Sequence, residues 1–360
     1  MNTAALILIG IPVLMLAWAN GANDVSKGVA TLVGSGLCEA RQAIRWGTLF
    51  TVLGGLTGIL WGGVLAANFS TGFLAPEYRP DLAFMAGAIV GAFGWVGLAT
   101  RFGWPVSTTH ALLGGIVGAT LVATGPDGLR LAVITNKTVA PLLLSPLIAI
   151  LLCWVLLRAS RWVTNRLPAW RPGCCAENEW RADPFMCAEA RESAQPWQAR
   201  LLRVSHWLSA GATSFARGLN DVPKIAAFLI LVMAGIATSQ RNVWIAAIVL
   251  VTLFMGIGSL SGGRRVARVL AHRVTRMDSG QGLTANIGTS LLVLAASPLG
   301  LPVSTTHVST GALMGIRFAD RSAPTQVDAL RAILLAWIVT LPVAALFAAF
   351  ATFFVRQFHQ

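Results

Sequence analysis

Gly21-Ala22-Asn23-Asp24-Val25 returns as Gly218-Leu219-Asn220-Asp221-Val222, and Pro105-Val106-Ser107-Thr108-Thr109-His110 returns as Pro302-Val303-Ser304-Thr305-Thr306-His307, each displaced by 197 residues. Gly114 and Gly118 reappear as Gly311 and Gly315 under the same shift, and Lys27 as Lys224. Separated motifs sharing one offset make the chain a duplication, and they place its chemistry in the duplicated part.

Around these motifs the chain is apolar. Of 360 residues, 55% are hydrophobic and 11% charged, and the mean hydropathy is +0.69, the composition of a polytopic membrane protein. Several apolar stretches reach the roughly 20 residues that cross a bilayer. The 36 glycines and 16 prolines suit close-packed membrane helices. A net charge of +13 would suggest nucleic acid in a soluble protein; here cationic loops that orient membrane spans account for it, and no nucleic-acid partner is expected. The five cysteines show no metal spacing, since Cys174-Cys175 and Cys187 sit in the polar centre without a Cys-x-x-Cys. Residues 3–19 end in Ala17-Trp18-Ala19, like a signal-cleavage site. They lack a basic n-region and run straight into the first motif, so they read as a retained first membrane helix.

In chain order, a spanning element at 3–37 is expected to break near Asn20-Gly21-Ala22-Asn23-Asp24, because glycine and short polar side chains disfavour helix interiors. A break is tolerated in a membrane only where it is buried or lines a cavity. A span near 43–67 follows, then a polar loop at 68–81. Residues 82–123 read as a re-entrant hairpin with its tip at Trp104-Pro105-Val106, two ordinary spans being the alternative, and 138–157 is a span. The second half repeats the plan with a broken span at 205–237, a span near 242–260, a basic loop from Arg264 to Arg276, a hairpin near 283–317 and a span near 330–355. The chain thus divides into an N-terminal repeat (1–157), a polar linker (158–203) with eight arginines and five acids, and a C-terminal repeat (204–360). Each half crosses an odd number of times, which makes the repeat inverted. The expected fold is an all-α polytopic membrane protein: two inverted repeats with about six spanning helices plus two re-entrant helical hairpins. With the termini outside, the inner segments hold 18 arginines and the outer ones five basic residues, so the linker is placed in the cytoplasm and the protein in the cell (inner) membrane.

Only Asp24 and Asp221, of 14 acidic residues, fall in the spans. An intramembrane carboxylate costs at least about 2.5 kcal/mol on insertion scales, so its default reading is functional; the bland reading is an ion pair such as Asp24 with Lys27, one helical turn apart. Asn and Asp oxygens there suit Na⁺, or a carboxylate carries a proton. Pro-Val-Ser-Thr-Thr-His reads as a helix start, since proline disfavours helix in the residue before it and Ser or Thr caps. Free N–H groups and the positive dipole end make such a start an anion site. Two of them facing each other in midmembrane would suit a tetrahedral oxyanion. His110 and His307 brace the helix starts, or titrate near pH 6.5.

Gly-x-Asn-Asp-Val followed by Pro-Val-Ser-Thr-Thr-His, twice and in order, resembles the inorganic phosphate transporter (PiT) family across nearly the whole chain outside the linker. The resemblance implies phosphate import by a symporter coupled to Na⁺ or H⁺, working by alternating access. It implies Ser107, Thr108, Thr109, Ser304, Thr305 and Thr306 as phosphate donors. Asn23, Asp24, Asn220 and Asp221 would bind the coupling cation, including a bound Na⁺, or the substrate's protons. A homodimer is an expectation from the resemblance alone. The family pattern usually continues Asn-Asp-Val-Ala-Asn-Ala; here Ser26-Lys27-Gly28 and Pro223-Lys224-Ile225 stand instead. Lys27 and Lys224 are therefore charge partners of the site, replacing Na⁺ or meeting the oxyanion, unless they snorkel to an interface. The departure leaves sulfate or another tetrahedral oxyanion as the alternative substrate. An intramembrane hydrolase using Ser107 or Ser304 with a histidine is disfavoured, because two symmetric copies do not make one asymmetric catalytic site. A passive channel fits poorly with carboxylates at the motifs.

Overall fold

The computed structural model describes residues 3–166, 196–233, 239–267, 277–320 and 327–358. Most of the linker, with Cys174, Cys175 and Cys187, and residues 268–276 of the basic loop lie outside them. Among the described residues the long helices fall into two sets of five. The first half holds α1 (Thr3–Gly34), α2 (Ala40–Trp61), α3 (Leu82–Phe102), α4 (Thr108–Ala123) and α5 (Ala140–Arg166). The second holds α6 (Pro196–Met233), α7 (Gln240–Gly262), α8 (Ser279–Ala296), α9 (Thr305–Ala319) and α10 (Val327–Gln357). Among the described residues, six helical stretches are long and apolar enough to cross a membrane: Ile7–Gly34, Ala40–Trp61, Leu82–Phe102, Leu131–Arg166, Gln240–Gly262 and Ile338–Gln357. α6 is longer than any of these but carries Arg217, Asp221 and Lys224 within its apolar part.

The expected breaks at the Asn-Asp motifs do not occur. α1 runs unbroken through residues 20–24, and α6 runs unbroken through 218–222 and Pro223. In a bilayer the helix satisfies every backbone group internally, and that outweighs the modest propensity cost of glycine and asparagine. The motif glycines serve close approach instead: a side chain on Gly21 would strike the Met255 carbonyl of α7, and one on Gly218 the Thr51 carbonyl of α2. The 68–81 segment is also less polar in place than in sequence. It opens with a π-helical turn, Asn68–Gly72, and buries Phe69 and Phe73.

Both hairpins form. α3 ends on Gly103 and α8 is followed by Gly300, each at positive φ (76° and 68°), where the chain reverses before the Pro-Val-Ser run. Ser107 caps α4 by accepting from the His110 N–H, and Ser304 caps α9 by accepting from the His307 N–H. The tips lie deep in the bundle, since Asn23 of α1, some 20 residues into that helix, bonds the Trp104 carbonyl. Arg356 near the end of α10 joins Asp81 before α3 and the Ala123 carbonyl ending α4, which puts hairpin one and the C-terminal helix end on one face. Arg161 of α5 and Gln281 of α8 meet Asp320 after α9, which puts hairpin two on the other.

The halves interlock. α1 and α2 pack against α7 and α6 to form the centre. The last helix of each half then covers the hairpin of the other: α10 lies on α3 and α4, and α5 on α9 and α8.

Candidate functional site

The site is where the two hairpin tips meet the motif residues of α1 and α6. Asn23 holds tip one at both ends of its amide, donating to the Trp104 carbonyl (2.8 Å) and accepting from the Val106 N–H (3.2 Å). Asn220 donates to the Val303 carbonyl of tip two (3.2 Å) and to Asp221 Oδ1 (2.8 Å), and accepts from the Ser297 hydroxyl (3.5 Å). The motif asparagines thus clasp the turns, which satisfies buried turn groups that have no helical partner.

The lysines do not snorkel. Lys27 is 6% and Lys224 1% exposed. Lys27 pairs with Asp24 and donates to the Val106 carbonyl (3.0 Å). Lys224 pairs with Asp221 (3.5 Å) and donates to the Val303 carbonyl (3.1 Å) and Thr109 Oγ1 (2.8 Å). Each tip carbonyl therefore gathers a lysine of its own half. Each also takes a hydroxyl from the opposite tip: Thr109 donates to Val303 (3.3 Å), and Thr306 to Val106 (2.8 Å). The His110 and His307 rings approach to 4.4 Å. His110 Nδ1 lies 2.9 Å from its own cap, Ser107 Oγ, the bracing role.

All six hydroxyl residues named from the sequence, Ser107, Thr108, Thr109, Ser304, Thr305 and Thr306, are buried at this junction. Two helix N-termini converge there, and helix geometry leaves the Thr108, Thr109, Thr305 and Thr306 N–H groups without intrahelical partners. The arrangement can hold an anion.

Two residues outside the sequence expectations belong to the same cluster. Asn20 sits one turn before Asp24, and its amide donates to Thr108 Oγ1 (2.8 Å), Asp24 Oδ2 (3.3 Å) and Asp221 Oδ2 (3.4 Å), so both carboxylates converge on one nitrogen. Arg217 stands at the Asn20 position of the second repeat, is 1% exposed, and acts electrostatically on both Asp24 and Asp221. Its Nη2 donates to Thr51 Oγ1 (2.7 Å), whereas Nε and Nη1, like Asn20 Oδ1, have no hydrogen-bond partner among the described residues. Asp24, Lys27, Arg217, Asp221 and Lys224 are the buried charged side chains of those residues. Three cations against two carboxylates leave one positive charge.

From Lys27 a cleft runs between α1, α8 and α9, lined by Thr31, Asn286, Thr289, Ser309 and Thr310. The duplicated positions on the other side are Phe228, Ile89, Ala92, Leu112 and Leu113, all at most 1% exposed in the apolar core.

The sequence profile described as the phosphate transporter family matches residues 20–348. The chain belongs to the phosphate transporter family. It is 29% identical over 343 residues to a protein of Rhizobium meliloti (strain 1021) named "probable low-affinity inorganic phosphate transporter", which covers 94% of this chain and 93% of that relative. A protein of the same name from Mycobacterium bovis (strain ATCC BAA-935 / AF2122/97) is 27% identical over 354 residues, covering 96% and 76%. A solved structure titled "The sodium-dependent phosphate transporter" superposes with a TM-score of 0.83 over 99% of this chain and 100% of that one, at 24% identity, a likeness of fold. The family's members named here are transporters, not enzymes.

Proposed function

We propose that this member of the family imports inorganic phosphate across the cell membrane by alternating access, driven by a cation gradient. The observation that carries the reading is the meeting of two capped helix N-termini over a buried cluster with one excess positive charge. Monobasic phosphate, H₂PO₄⁻, neutralises that charge; sulfate, a dianion, overshoots it. Phosphate also brings P–OH donors for the buried acceptor Asn20 Oδ1, and sulfate brings none. In this reading the N–H and hydroxyl groups of Ser107, Thr108, Thr109, Ser304, Thr305 and Thr306 bind the anion, and Arg217 supplies its two unused N–H positions. The tips part to admit the ligand, because the Thr109–Val303 and Thr306–Val106 hydrogen bonds close the space between them. The distribution of arginines supports a cytoplasmic linker and outside termini, and in that orientation hairpin two faces the cytoplasm.

The test is radiolabelled phosphate uptake into proteoliposomes under a Na⁺ gradient, a proton gradient or neither, with excess sulfate as competitor. Accumulation that follows a cation gradient and resists sulfate is the expected result. Sulfate accumulation in place of phosphate would overturn the substrate while leaving the fold.

A further inference from the structure

The ammonium groups of the two lysines end in oxygen cages. Around Lys27 Nζ stand the Asp24 carboxylate and the Val106 carbonyl (3.0 Å). Around Lys224 Nζ stand the Asp221 carboxylate (3.5 Å), the Val303 carbonyl (3.1 Å) and the Thr109 hydroxyl (2.8 Å). Carboxylate, carbonyl and hydroxyl oxygens are what a hard metal cation takes. The carbonyl and hydroxyl distances are those of N–H···O hydrogen bonds, and the Asp221 contact is an ion pair.

The other oxygens that the motifs offer are engaged as well. Oδ2 of Asp24 and Oδ2 of Asp221 face the Asn20 amide (3.3 and 3.4 Å), and Oδ1 of Asp221 also faces the Asn220 amide (2.8 Å). Oδ1 of Asn23 accepts from the Val106 N–H, and Oδ1 of Asn220 from Ser297. A metal ion there would compete with the tethered ammonium at each aspartate and with an amide or hydroxyl donor at the other oxygens. The residues at Asn23, Asp24, Asn220 and Asp221 therefore do not fit Na⁺ in this arrangement.

We propose that Lys27 and Lys224 are tethered cations that stand in for Na⁺, so that this protein binds and moves phosphate without it. The symmetry supports the assignment, since both repeats place the ammonium one turn after the aspartate and on the carbonyl of the hairpin tip. A tethered cation stays in the protein through the cycle, whereas a free one would travel with the substrate. The inference rests on the phosphate reading above, and its test separates the two.

Binding of radiolabelled phosphate to the purified full chain in lipid nanodiscs is measured in choline chloride and in sodium chloride, together with the thermal unfolding midpoint in each. The expected result is one phosphate affinity and one midpoint in both salts. In Lys224→Ala, where the cage is emptied, Na⁺ should restore phosphate binding by about tenfold relative to choline and raise the midpoint. A wild type whose phosphate affinity rises about tenfold with Na⁺ overturns the tether and leaves phosphate transport standing. So does a folded Lys224→Ala protein that binds phosphate with no response to Na⁺. If that variant does not fold, the wild-type comparison decides alone. Absence of phosphate binding in either salt would overturn the transport reading, and the tether with it.

Discussion

Arg217 buries a guanidinium within the electrostatic reach of two carboxylates, pairs with neither, and fixes only one of its nitrogens, on Thr51. Replacing it by glutamine removes the excess positive charge and should weaken phosphate binding at least about tenfold, or 1.4 kcal/mol, in an equilibrium binding measurement. Arg217→Lys should recover part of the loss, because it keeps the charge and gives up the planar fork. Asp24→Asn acts differently. It leaves the Lys27 ammonium buried without its counter-charge, and breaking such a pair costs about 3–5 kcal/mol, to be read as a lowered unfolding midpoint. The carboxylates and lysines were legible because each occurs twice at one offset. Arg217 was not, because its counterpart is Asn20 and the position is not repeated. The available signal was of another kind: an arginine in an apolar span is a functional residue by default.

At the scale of the helix and the hairpin, the Pro-Val-Ser-Thr-Thr-His pattern carried its own physics, and both tips and caps formed where it placed them. The motif helices run on unbroken where local propensity predicts a break, because the partners of Asn23 lie some 80 residues away in a turn that propensity does not register. An asparagine that would disrupt an isolated helix instead satisfies the exposed groups of that turn. The tips are the elements expected to separate during transport. Cysteines replacing Val106 and Thr306, joined by a short bifunctional thiol reagent that a reductant cleaves, should stop uptake, and reduction should restore it. Uptake that continues at full rate through the cross-link would show that phosphate passes without parting the tips.

Across the whole molecule, the duplication and the odd number of crossings per half were legible, and with them the inverted arrangement. The exchange of closing helices, α10 over hairpin one and α5 over hairpin two, was not. It depends on which apolar face finds which, and all those faces are similarly hydrophobic. The cleft beside Lys27 was equally hidden, because it appears only when the repeats are compared position by position in three dimensions. It predicts unequal access. A single cysteine replacing Ser309 should react with a water-soluble maleimide, whereas one replacing its counterpart Leu112 should remain unlabelled in the resting protein. Equal labelling of the two would remove the distinction.

That inequality bears on direction. In a carrier made of two like halves, the inward- and outward-open shapes would be mirror alternatives of similar energy. Here, hydrating the route opposite the cleft means wetting Phe228, Ile89, Leu112 and Leu113, and uncovering even one such side chain costs about 1.5 kcal/mol, roughly a tenfold bias. The empty carrier is accordingly biased toward opening on the hydroxyl-lined side. An anion arriving on the apolar side meets a receptive molecule only in the minor population, and its apparent affinity there falls by that fraction. Hydroxyls on one side of an old duplication and apolar groups on the other thus make the two routes unequal without altering the site itself.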